Sequence, residues 1–126
     1  MIPEIVFSIC RFMLGGVLIV FPLNALFLKL FSPKIPERGA ALMNAMRESG
    51  YLLQFVQWTE LVVGILIVSG YFQVVALLIL LPVSINIFLF HLFLAPPIYG
   101  PGLIILLLNI LLLYPHAHEL TKLFSL

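Results

Sequence analysis

The sequence predicts an all-α fold, an integral membrane four-helix bundle with an interfacial amphipathic helix between helices 1 and 2. Three observations predict it. Hydrophobic residues make up 63% of the chain and charged residues only 9%, more apolar surface than a soluble domain of this length could hide. The apolar residues gather into four stretches, each approaching the ~20 residues that a spanning helix needs. Between the first two stretches the composition turns charged and proline-rich. Four spans with short connections use up the 126 residues, so residues 1–126 are read as one domain.

The same composition excludes several function classes. With a net charge of +1 and no basic stripe, no nucleic-acid partner is expected, because nothing could neutralise a run of phosphates. Cys10 is the only cysteine, so the chain forms no internal disulfide and lacks the paired cysteines that quinone-linked disulfide oxidases need. Met1-Ile2-Pro3-Glu4 lacks a basic start, and no small-x-small cleavage pattern ends the first apolar run. That run is expected to be a retained helix and not a signal peptide.

Helix 1 is predicted from about Ile5 to Leu30, with Gly15-Gly16 allowing close approach of a neighbour. Pro22 is expected to kink it and free a carbonyl, which in a membrane must find another partner, and Asn24 is placed to help. Ser32-Pro33-Lys34-Ile35-Pro36-Glu37-Arg38 reads as a charged turn. In the stretch that follows, Leu42, Met43 and Met46 fall at helical spacing with Arg38, Asn44, Arg47 and Glu48 mostly elsewhere around the helix. This is the expected interfacial amphipathic helix.

Helix 2 is predicted over Tyr51 to Val68, ending at Ser69-Gly70, a pair suited to stopping a helix. Helix 3 runs from Tyr71 to Leu94 with Pro82 near its middle, and the minimal junction makes the two antiparallel neighbours. Pro96-Pro97-Ile98-Tyr99-Gly100-Pro101-Gly102 is a rigid break. Helix 4, from Leu103 to Tyr114, is short for a span; it must start earlier, run on through Pro115, or sit where the bilayer is thin.

The candidate site residues are the polar side chains inside these apolar helices, since polar groups are costly in a bilayer and mark function or packing there. At ~1.5 Å per residue, Glu60 lies about nine residues into helix 2 and Asn86 about eight into helix 3 from the same side, so they share a level. Gln54, Gln57, His91, Asn24 and Asn109 fall in the same half of the bilayer. Gln54, Gln57 and Glu60 recur every third residue and form a slanting stripe expected to face the bundle interior. For the glutamines and for Asn86 the competing explanation is hydrogen bonding between helices. Glu60 is the stronger functional candidate, because a carboxyl at that depth suits proton handling or the orienting of a polar head group. His91 could serve a proton, a quinone carbonyl or haem iron, but it stands without a second ligand at metal spacing, so no metal site is assigned. His116 and His118 fall on the opposite side. Arg11, on that side too, is expected to extend its head towards the interface. The candidate ligand-binding set is therefore Asn24, Gln57, Glu60, Asn86 and His91, with no catalytic residue and no cofactor assigned.

Arg11-Phe12-Met13-Leu14-Gly15-Gly16, Asn24 after Phe21-Pro22-Leu23, Glu60-Leu61-Val62-Val63-Gly64, and above all the stretch from Pro82-Val83-Ser84-Ile85-Asn86 through His91 to Ala95-Pro96 resemble the DoxX family of small four-helix membrane proteins. The family takes its name from a subunit of thiosulfate and quinone oxidoreduction, and other members belong to oxidative-stress complexes. The resemblance therefore implies a place in the cell inner membrane, a hydrophobic small molecule such as a quinone as ligand, and a membrane or redox protein as partner. Ser69-Gly70-Tyr71-Phe72-Gln73 departs from the family pattern, lacking an arginine often found in that turn. Two functions are expected to compete: binding a quinone or similar molecule in support of membrane redox metabolism, and a non-enzymatic scaffold that recruits a partner through the charged first loop. The basic residues Lys29, Lys34, Arg38 and Arg47 favour a cytoplasmic first loop, whereas the resemblance implies the reverse orientation.

Overall fold

The computed structural model describes residues 3–30, 36–94 and 101–124. The described residues are helical, with no strand among them: α1 (Glu4–Leu23), α2 (Glu37–Glu48), α3 (Leu52–Ser69), α4 (Gln73–Phe93), α5 (Pro101–Leu113) and α6 (Ala117–Phe124). Four helical segments, Glu4–Leu28, Leu52–Ser69, Gln73–Phe93 and Gly102–Lys122, are long and apolar enough to cross a membrane, which fits a small membrane protein. The predicted turns at Ser32 to Ile35 and Pro96 to Gly100 lie outside the described residues.

Local chemistry sets the ends of the helices. Pro3 precedes α1, and Glu4 in its first turn lies at the positive end of the helix dipole. After Pro22 the chain widens into a π-helical turn, Asn24–Leu28. Lys29, in the left-handed region at φ 49°, then closes it by donating its N–H to the Asn24 carbonyl at 2.6 Å. Pro36 opens α2. Between α2 and α3, Ser49 Oγ donates to the Met46 carbonyl at 2.6 Å and accepts the Leu52 N–H at 3.0 Å, which satisfies one group at each helix end. Gly70 takes φ 85° to stop α3 and returns its N–H to Leu66, the left-handed cap for which glycine is suited.

Contacts along the chain define an antiparallel bundle in which α1 packs chiefly on α3 and α4 on α5, while α3 touches α4 and α1 touches α5. Leu14, Leu18, Val63, Ile67, Leu77, Leu80, Ile105 and Leu112 fill the centre. The two main pairs use different means. At the α1–α3 crossing Gly15 and Gly64 face each other: a side chain at Gly15 would run into Val68, and one at Gly64 would lie 2.9 Å from the Leu18 Cβ. Backbones this close gain dispersion contact that larger residues would prevent. Phe27 and Trp58 meet edge to face, 5.5 Å between centroids, nearer the other end of the same pair. The α4–α5 pair is joined by polar groups, described below.

Two expectations about element boundaries resolve here. The fourth apolar helix reaches spanning length by running through Pro115: a short 3-10 turn, Tyr114–His116, joins α5 to α6. The charged first connection does form a helix, α2, with Glu37, Arg38, Arg47 and Glu48 exposed and Met43 and Met46 half-buried; Leu42, expected on the same apolar face, is exposed.

Candidate functional site

Leu53, Gln57, Glu60, Gly64 and Ile67 fall three or four residues apart and hence on one side of α3. Leu53, Gly64 and Ile67 are buried, so that side faces the bundle, and Gln57 and Glu60 are half-buried along it. Glu60 has neither a hydrogen-bond nor an ion-pair partner among the described residues, and the same is true of Gln57. Gln54 stands apart from the stripe, on the exposed face with Trp58, Val62 and Ile65. A carboxylic acid with an adjacent amide on an interior face offers both donors and acceptors to a polar head group entering from the bilayer.

Asn24 is buried in the π-helical turn at the α2 end of the bundle, where its Oδ1 accepts the Leu30 N–H at 2.7 Å. His91 sits near the same end on the inward side of α4. Its Nδ1 lies 2.9 Å from the Ile87 carbonyl; since a carbonyl only accepts, Nδ1 carries a proton in this contact, and a ring with that single proton presents Nε2 as an acceptor. Gly102 of α5 fits against this ring: a Cβ there would lie 2.6 Å from Nδ1 and 2.8 Å from the Ile87 oxygen. Asn86 is placed differently. It is exposed on the outward face of α4, roughly opposite Ser84, and so is not brought together with Gln57 and Glu60.

Two polar groups outside the candidate ligand-binding set are built into the interior: Asn109, whose depth was readable from the sequence but whose partner was not, and Ser84, which sequence reasoning did not single out. Ser84 and Asn109 are fully buried; the Ser84 hydroxyl donates to Asn109 Oδ1 at 2.7 Å, and Asn109 Nδ2 donates to the Leu77 carbonyl at 3.1 Å. Pro82 has no N–H, so the neighbouring Leu78 carbonyl loses its helical donor, and the α5 amide docks one residue earlier on this weakened part of the ladder. A serine two residues after a mid-helix proline was the available signal. Gln73, at the start of α4, donates Nε2 to the Ile67 carbonyl at 2.7 Å and so pins the α3–α4 turn; its buried Oε1 has no partner among the described residues.

The opposite end carries the remaining charges. The Arg11 guanidinium stands 4.7 Å over the Phe12 ring and lies beside Gly70 in the α3–α4 turn. His116 Nδ1 lies 3.6 Å from the Glu119 carboxylate, one turn along. Comparisons with family models, curated proteins and solved structures found no match to this chain.

Proposed function

We propose that this is a DoxX-like protein of the cell inner membrane that holds a hydrophobic small molecule with a polar head, a quinone or a lipid, in support of membrane redox metabolism. The observation that carries the reading is Glu60, an inward-facing carboxyl in an apolar helix without a hydrogen-bond or salt-bridge partner among the described residues. An ionisable group in hydrocarbon is costly unless something engages it, and Gln57 one turn away extends the same polar stripe. Glu60 orients the head group or exchanges a proton with it, and Gln57 supplies a second hydrogen bond. Asn24 and His91 lie at the same end of the bundle, where the His91 Nε2 is an acceptor for a hydroxyl head. The likeness in residues to the DoxX family, set out above, supports the choice of a quinone among such ligands.

A second reading rests on α2, whose exposed Glu37, Arg38, Arg47 and Glu48 lie beside the bundle on a helix read as interfacial. In this reading the protein is a scaffold that recruits a membrane or redox protein partner through α2, and the α3 amides serve packing. One experiment separates the two. The full chain is purified gently from native membrane as wild type and as Glu60→Gln, and each is analysed by mass spectrometry and absorption spectroscopy. A stoichiometric quinone or lipid in the wild type that is lost in a folded Glu60→Gln protein supports the site. Equal, empty and stable bundles would overturn it in favour of the scaffold.

A further inference from the structure

The inward side of α4 is occupied by Leu77, Leu80 and Ser84, and the side opposite is exposed among the described residues. Along that exposed side run Val75, Ile79, Pro82, Asn86, Leu89 and Phe93, with successive spacings of four and three residues. Val75 is 53% and Phe93 62% exposed. This spacing places all six on one face of the helix, and a second helix packs along such a face at a shallow left-handed angle. One of its six positions is an amide. Asn86 lies about two turns, ~10 Å, in from the end of α4, within the apolar span, and has no hydrogen-bond partner among the described residues.

From these features we propose that α4 is the seam of a parallel homodimer registered by Asn86 against Asn86 of a second copy. Lipid tails supply neither donor nor acceptor, so an outward amide at this depth calls for a partner that reaches the same depth. A phospholipid head group resting at the bilayer surface does not. A second copy does so automatically: copies inserted the same way share their orientation, and a twofold axis along the membrane normal sets each residue of the seam at the level of its counterpart. An asparagine side chain carries both donor and acceptor, so the pair is self-complementary, and a single seam asparagine is a known means of fixing register and oligomer number. The contact leaves the Ser84–Asn109 pair untouched on the far side of α4, and it is independent of the Glu60 site.

The test uses the full chain in lipid bilayers, with Cys10 replaced by serine so that single cysteines can be introduced. Disulfide cross-linking between copies is expected at Ile79, Pro82 and Leu89 positions and not at Leu80 or on the exposed α3 face at Val62. Dimer fraction against protein-to-lipid ratio, followed by single-molecule photobleaching, is expected to show a dimer whose dissociation constant rises about five- to thirty-fold in Asn86→Leu. Asn86→Gln is expected to retain most of the affinity. A protein that stays monomeric at high density, cross-links that peak off the seam, capture of a different membrane protein at the seam cysteines, or a dimer indifferent to Asn86→Leu would each overturn the proposal.

Discussion

Asn109 of α5 donates its side-chain amide to the backbone of α4 at Leu77, 3.1 Å away, while its oxygen receives the Ser84 hydroxyl. One side chain thus holds a neighbouring helix by both its backbone and a side chain. Replacing Asn109 with leucine removes both bonds, although the Ser84 hydroxyl keeps the Leu81 carbonyl at 3.0 Å. The expected loss is about 1–2 kcal/mol, and about 0.6 kcal/mol for Ser84→Ala, in line with hydrogen bonds between membrane helices. Reversible unfolding in detergent micelles measures both. The double variant should lose less than the sum of the singles; strict additivity would show that the two residues do not act together.

The α1–α3 crossing makes a prediction with an internal control. Gly15 and Gly64 have no room for a methyl group, whereas nothing lies within 4 Å of a Cβ at Gly16. Gly15→Ala and Gly64→Ala are therefore expected to destabilise by about 1–3 kcal/mol through overpacking. Gly16→Ala should be neutral or slightly stabilising, since alanine favours the helix. Thermal denaturation of the three variants in one detergent decides the matter. Equal damage from Gly16→Ala would mean that the crossing is not where Gly15 places it.

The four apolar spans were legible because hydrophobic runs, Ser69-Gly70 and the prolines are local signals, and local signals survive without knowledge of neighbours. The angle around the helix was legible for Gln57 and Glu60, which lie on the side of buried Gly64 and Ile67, but not for Gln54, which the same three-residue step carries to the exposed face, nor for Asn86. α4 is apolar on every side, so its periodicity does not reveal which face turns inward. That choice is made by Ser84 meeting Asn109, a pair from different helices. The contact of Gly15 with Gly64 was hidden likewise, since each glycine gains its meaning only from the other.

Asn24 and Lys29 at the end of α1 lead to substitutions of opposite sign. Lys29 adopts φ 49°, a left-handed conformation that costs a non-glycine residue about 1–2 kcal/mol. Lys29→Gly should remove most of that strain and stabilise the protein by up to ~1 kcal/mol, because the bond it closes uses only its backbone N–H. Asn24→Leu keeps that bond but removes the Oδ1 that accepts the Leu30 N–H, and leaving a donor unsatisfied costs roughly 1–3 kcal/mol where it is shielded from water. Hydrogen exchange at the Leu30 amide, read beside thermal stability, distinguishes capping from ligand binding. Faster exchange with lower stability in Asn24→Leu assigns the residue to the helix end. Unchanged exchange with loss of a copurifying ligand would assign it instead to the site built around Glu60, because a cap acts on the backbone whether or not a ligand is present.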